Sequence, residues 1–155
     1  MAGTTIVEAR KALVAVLKTR PGLAGVYVTY AWDGDDRTAR DAIWTAFAAT
    51  GPEDSAETRS AVPVLRANPK RREEDYVFGA VCEVRQMGTT QQQVDERAAF
   101  LLAEVENALA ADPTLALPAI SWAVLRGFRP VAGLVSGALR ACRFEASVSV
   151  KARLL

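Results

Sequence analysis

Apolar residues near the start of the chain recur at helical spacing, with Ile6, Leu13, Val14 and Leu17 on one face. Thr5 followed by Glu8 has the spacing of a capping box, so a helix is predicted from there to about Thr19, where Pro21-Gly22 ends it. The run Val26-Tyr27-Val28-Thr29-Tyr30 is β-branched and aromatic and predicts a strand. Asp33-Gly34-Asp35-Asp36 marks a turn, and a second strand-like run follows from Asp41 to Ala48, although its alanines suit a helix equally well.

Periodicity is lost between residues 51 and 75. Pro52, Pro63 and Pro69 interrupt any regular element, and the segment from Glu53 to Asp75 carries six acids and five bases. A long polar loop of this kind is predicted, with Ala61-Val62-Pro63-Val64-Leu65 as a short edge strand inside it. Tyr76 to Met87 is apolar on both faces near its middle, which predicts a central strand covered by helices on one side and ended by Gly88. Thr90 with Gln93 makes a second capping box. The helix it opens sets Val94, Ala98, Leu101, Leu102, Val105 and Leu109 opposite a polar face of Glu96, Arg97, Glu104 and Asn107, and Asp112-Pro113 stops it. Two strands close the chain, Ile120 to Phe128 and Arg140 to Lys151. In the last, Cys142, Phe144, Ala146, Val148 and Val150 alternate with Arg143, Glu145, Ser147, Ser149 and Lys151, as in a strand with one buried face and one solvated or interface face. Their connection, Arg129 to Leu139, is apolar and contains glycine, which is unusual for a surface loop.

The order is therefore α-β-β-β-α-β-β. Strands joined without crossover helices predict an α+β domain, with a mixed or antiparallel sheet of about four to five strands and both helices on one face. A length of 155 residues suits one domain, 1–155, with the charged loop at about 51–75. Half the residues are hydrophobic and the formal charge is +1, so neither disorder nor a global attraction to nucleic acid or membrane is expected. Glu8, Arg10 and Lys11 interrupt any apolar run at the start, and no stretch has the length of a membrane span, so a reducing cytoplasm is the expected compartment.

Candidate chemistry is sparse. The chain has no histidine, which removes the commonest general base and metal ligand. Cys82 and Cys142 lack CxxC spacing and lie in apolar strands, where cysteine behaves as a small hydrophobe. The acidic turn at Asp33, Asp35 and Asp36 offers oxygen donors for Ca²⁺ or Mg²⁺, but it lacks the spacing and closing Glu of an EF-hand loop and reads more simply as a solvated turn. Glu73-Glu74-Asp75 is balanced by Lys70-Arg71-Arg72. No serine elbow, Ser-x-x-Lys motif, phosphate loop or dinucleotide fingerprint is present, so no catalytic residue, metal site or cofactor is expected. From Ser121 onward six bases (Arg126, Arg129, Arg140, Arg143, Lys151, Arg153) meet one acid, Glu145, giving +5 there and −4 elsewhere. Such a hairpin suits DNA, an acidic protein surface or simple solvation. Trp32, Trp44 and Trp122 read as core residues, any of which also suits an interface.

Taken over most of its length, this order resembles the tail terminator (tail completion) proteins of long-tailed bacteriophages. The likeness is carried by the helix ending at Arg20-Pro21-Gly22, the strand Val26 to Trp32 with Asp41-Ala42-Ile43-Trp44, and the strand Tyr76-Val77-Phe78-Gly79-Ala80-Val81-Cys82-Glu83-Val84. It continues through the helix from Val94-Asp95-Glu96-Arg97 to Asp112-Pro113-Thr114-Leu115 and the closing basic hairpin. The resemblance implies a structural virion protein of the tail-neck region, assembled in the host cytoplasm. Such proteins form a hexameric ring that caps the tail tube, ends its polymerisation and presents a surface for head-tail joining. The implied partners are further copies of the chain, the major tail tube protein and a head completion or connector protein, with DNA passing through the channel without sequence specificity. Val131, Leu134, Val135, Arg66, Arg71 and Arg72 are the candidate subunit or partner interface, and Arg126, Arg129, Arg140 and Arg143 the candidate contacts to DNA or the tube. The alternatives are a head-tail connector, neck or tail tube subunit, and a small-molecule-binding α+β domain.

Overall fold

The computed structural model describes residues 4–32, 40–47, 59–60, 72–132 and 137–154, with the backbone alone at Arg59, Ser60, Arg72, Ala132 and Leu154. The elements are α1 (Ile6–Thr19), a 3₁₀ turn (Pro21–Leu23), β1 (Tyr27–Thr29), β2 (Asp41–Ala46), β3 (Arg59–Ser60), β4 (Arg72–Met87), α2 (Gln91–Ala111), β5 (Ile120–Ala132) and β6 (Leu139–Leu154). The chain is α+β with a mixed sheet, in the order β1-β2-β4-β6-β5, and β3 pairs with β4 beyond the end of β2. β1 and β2 run parallel, and every other pair is antiparallel.

Both helices lie on one sheet face. α1 buries Ile6, Ala9, Leu13, Val14 and Leu17, and α2 buries Val94, Ala98, Leu101, Leu102, Val105, Ala108 and Leu109. They pack on Tyr76, Phe78, Ala80, Cys82 and Val84 of β4 and on Ala146, Val148 and Val150 of β6, which alternation sends to the same side. Truncating a side chain such as Leu13 or Leu101, each fully buried, costs about 2–5 kcal/mol in such a setting. Tyr76 to Met87 is central as predicted, and α2 carries the full Thr90–Gln93 capping box. Gly88 leaves β4 with φ +70°, a conformation that suits glycine.

Several boundaries differ from expectation. The alanine-containing run after Asp41 is a strand, because it supplies the ladder partner for Gly79 to Val84. β4 starts at Arg72, so the expected charged loop loses its last four residues to the strand, where they pair with 151–154 of β6. The paired segment within that loop is Arg59–Ser60, whereas the predicted edge strand Ala61 to Leu65 lies outside the described residues. The apolar connection from Arg129 is strand as far as Ala132, and β6 resumes at Leu139. On α2, Arg97 and Glu104 are not simply solvated: Arg97 Nε reaches Asp41 at 2.8 Å and Arg20 Nε reaches Glu104 at 2.7 Å, tying α2 to β2 and to the end of α1.

The predicted Thr5–Glu8 capping box is absent. Thr5 has φ −93° and ψ −4° and makes no side-chain cap. Its hydroxyl and amide both donate to Glu74 Oε2 at 2.9 Å, Thr4 donates to Glu74 Oε1, and the Tyr76 hydroxyl lies 2.9 Å from Thr5 Oγ1. A buried carboxylate from β4, 3% exposed, thus sits at the positive end of α1 and takes the place of a local cap. Glu8 instead pairs with Lys11 on the surface.

Glu74→Ala is expected to lower unfolding free energy by about 2–3 kcal/mol in urea titrations, because it strips three donors of a charged acceptor. Glu8→Ala should stay within about 0.5 kcal/mol. Burial also pushes the Cys82 thiol up to about 12, the Tyr76 phenol up to about 12 and, with Asp95 nearby, the Cys142 thiol up to about 11. These groups stay neutral in the fold while unfolded thiols ionise near about 8.5 and phenols near about 10. Their contribution is therefore complete below about pH 8.5 and lost as pH climbs toward the folded values. A denaturant midpoint that falls on the alkaline side, and thiols unreactive toward Ellman's reagent until unfolding, are the expected measurements.

Candidate functional site

Alternation places a second set of side chains on the sheet face away from the helices, in rows that cross three or four strands. One row is Ala42–Glu83–Arg143–Val131, the next Trp44–Val81–Glu145–Arg129, and the next Ala46–Gly79–Ser147–Gly127. Beyond them lie Val77–Ser149–Val124 and Asp75–Lys151–Trp122. The first two rows are ionic and aromatic, and the later ones small and apolar until Lys151.

The ionic rows hold two buried acids. Glu83, 4% exposed, accepts from Arg143 through Nε at 2.8 Å and Nη2 at 2.7 Å, and from Arg85 Nε at 2.8 Å. Glu145, 7% exposed, accepts from Arg129 Nη2 at 2.9 Å, with Arg143 Nη1 at 3.9 Å. Arg143 also lies over the Trp44 ring, its guanidinium carbon 5.5 Å from the centroid, and Trp44 packs on Trp32 with centroids 4.5 Å apart. Neighbouring Trp44, Ala42 and Val81 form a small cluster of their own on this face. Of the two options expected for this side of β6, a solvated or an interface face, Glu145 and Ser147 are not solvated but buried within the chain itself.

The four candidate contact arginines stand in different surroundings. Arg129 and Arg143 join the ionic rows. Arg140 Nη1 donates to the Gly137 and Leu139 carbonyls at 2.8 and 3.2 Å, fixing the β5–β6 turn. Arg126 is exposed in the bulge between Leu125 and Gly127. Of the interface candidates, Val131 is half-buried opposite Arg143, and Arg72 pairs through its backbone with Leu154. Leu134, Val135, Arg66 and Arg71 lie outside the described residues, as does the acidic turn Asp33 to Asp36. The sequence reading missed Glu83 and Glu145 as ion-pair acceptors. The available signal was an acid in the middle of each of the two most apolar strands.

A second polar feature lies on the helix side, at the β1 edge. Arg10, 2% exposed, donates through Nε to Thr45 Oγ1 at 3.0 Å and through Nη2 to the Tyr30 and Thr45 carbonyls, both at 3.1 Å. Its guanidinium carbon lies 3.9 Å from the Tyr30 ring centroid and 4.3 Å from that of Phe47. Nη1 is buried without a hydrogen-bond partner, and burial lowers the pKa of the group. Alongside runs a groove of about 420 Å³, lined by Val7, Lys11, Val14, Ala15, Lys18 and Tyr30.

Chemically these sites pair charge and present apolar surface; both cysteine thiols are held in the unreactive neutral form. No protein-family model matches the chain, and comparison with curated proteins gives no match.

Glu83→Gln is expected to cost about 2–3 kcal/mol by urea denaturation, because Arg85 and Arg143 lose their common counter-charge in a largely buried setting. Arg126→Ala, in the exposed bulge, should change stability by less than about 0.5 kcal/mol.

Proposed function

We propose that this chain is a structural subunit that assembles with copies of itself into a ring capping a bacteriophage tail tube, where it ends tube polymerisation and receives the head. The observation that carries the assembly step is a pair of exposed apolar groups at the two sheet edges, with Met87 at the end of β4 and Phe100 on α2 exposed besides. Tyr27 (41% exposed) and Phe47 (57%) lie at the β1 side of the sheet, and Trp122 (38%), Val124 (44%) and Phe128 (57%) on β5 at the opposite side. A closed ring needs two different contact patches per subunit, each meeting the other on a neighbour, and two apolar flanks on opposite edges meet that need. The phage assignment rests on the resemblance in element order, which the observed α-β-β-β-α-β-β succession supports once the 3₁₀ turn and the two-residue β3 are set apart.

The charge pattern favours protein over DNA as the partner of the closing hairpin. Arg129 and Arg143 are spent on Glu145 and Glu83, and Lys151 and Arg153 stand 3.7 and 3.8 Å from Glu73. Two acids of β4, Glu83 and Glu73, thus stand against three of the hairpin's bases, and Glu145 of β6 takes Arg129. DNA in this reading passes through the ring without being gripped by these residues.

The test is a concentration series by multi-angle light scattering, with negative-stain imaging in the presence of purified tail tubes. Closed rings of tube width, or density capping one tube end, are the expected result. A chain that stays monomeric at every concentration and ignores tube ends overturns the proposal.

A further inference from the structure

We infer that the groove along α1 is the receiving half of a contact between two copies of this chain, filled by the acidic outer flank of α2. The inference rests on the assembly reading and adds a helix-side contact to the apolar edges named there.

The groove stands on the side of α1 away from α2. Its wall is Tyr30, which follows the edge strand β1, and its α1 side is Val7, Lys11, Val14 and Lys18, spaced i, i+4, i+7 and i+11 with Ala15 between. That spacing makes one straight helical stripe about three turns long. Its floor is apolar and its charged rim is basic. Lys11 spends part of its charge on exposed Glu8 at 3.3 Å, while Lys18 has no acidic partner among the described residues. Behind Tyr30 lies the Arg10 guanidinium, a buried positive charge held by carbonyls and a hydroxyl, with no carboxylate among its hydrogen-bond partners. Among the described residues, the charge of this groove's lining is therefore basic.

On α2, which covers β4, β6 and β5, the exposed residues include Asp95, Ala99 and Glu106, again at i, i+4 and i+11, with Glu96 beside them. The basic residue of this helix, Arg97, faces the other way and is bound to Asp41. The outer flank thus carries three acids, Asp95, Glu96 and Glu106, around Ala99, opposite in charge to the lysines of the groove. Ala99 and Ala15 carry no bulk, so two helices can approach closely where they cross. Because the groove opens at the β1 side and the acidic flank at the β5 side, the contact joins unlike surfaces. A contact of that kind repeats from subunit to subunit in one direction.

Cysteines introduced at Ala15 and Ala99 test this directly, since both positions are exposed and the native Cys82 and Cys142 are buried free thiols. Oxidation of the double variant should give a ladder of covalent oligomers on a non-reducing gel. Mixing the two single variants should give dimers only, and neither alone should cross-link. In a second arm, Lys11→Glu with Lys18→Glu should raise the concentration for half-assembly at least about tenfold. Mixing that variant with one carrying Asp95→Lys and Glu106→Lys should restore mixed oligomers. Wild-type rings with no ladder from the double variant overturn the contact and leave the ring standing. A ladder from a chain that never caps a tube leaves the contact standing and removes the phage role. Cross-linking by Ala15→Cys alone would mean a symmetric α1–α1 contact and also overturn the proposal.

Discussion

The structure depends on the register of one strand pair. β4 and β6 are matched residue for residue from Arg72 opposite Leu154 to Met87 opposite Leu139. With a side-chain period of two, this alignment decides both faces at once. It stacks Phe78 on Val148 and Cys82 on Phe144 beneath the helices, and it sets Glu83 opposite Arg143 on the other side. Moving one strand by a single residue would turn its apolar set outward and carry charged side chains under α1 and α2, where unpaired charge is costly. Glu83 and Arg143 would then no longer face each other. The ion pair thus reports the same register that the core requires.

α1 is held to this ladder by polar anchors as well as by its apolar face. At its first turn Glu74 of β4 gathers the Thr4 and Thr5 donors. One turn later Arg10 reaches past the core to the carbonyls of Tyr30 and Thr45. The desolvation of that guanidinium is offset by three hydrogen bonds and by two aromatic rings. Together the anchors fix the rotation of α1 about its own axis. That rotation is what leaves Val7, Val14 and the lysines beside Tyr30 instead of in the core.

The elements that were legible in the sequence are those whose pattern is local. The helix from Thr90, the central strand through Phe78 and the alternation of β6 each carry a complete signal over a dozen residues. What sequence reasoning misplaced depends on partners far along the chain. Thr5 and Glu8 have a capping-box spacing, yet Glu74, 69 residues away, is the stronger acceptor because it is buried against the helix end. Arg129 and Arg143 look like one basic surface until β4 supplies Glu83 beside Arg143, across a separation of 60 residues. The strand Asp41 to Ala46 was ambiguous for the same reason: its alanines carry no preference, and the ladder with β4 decides.

That long-range pairing also changes what the charge of the chain means. A net +5 in the last third suggests an electrostatic footprint, but the fold sets Arg143 on Glu83 of β4 and Arg129 on Glu145 of β6 within the subunit. Among the described residues, exposed charge also remains outside these pairs. Lys18 at the α1 groove and Glu106 on the far flank of α2 are both exposed, and they sit at opposite sides of the sheet. Among the described residues, pairing within β6 and between β4 and β6 thus accounts for Arg129 and Arg143, while Lys18 and Glu106 stay outside any ion pair.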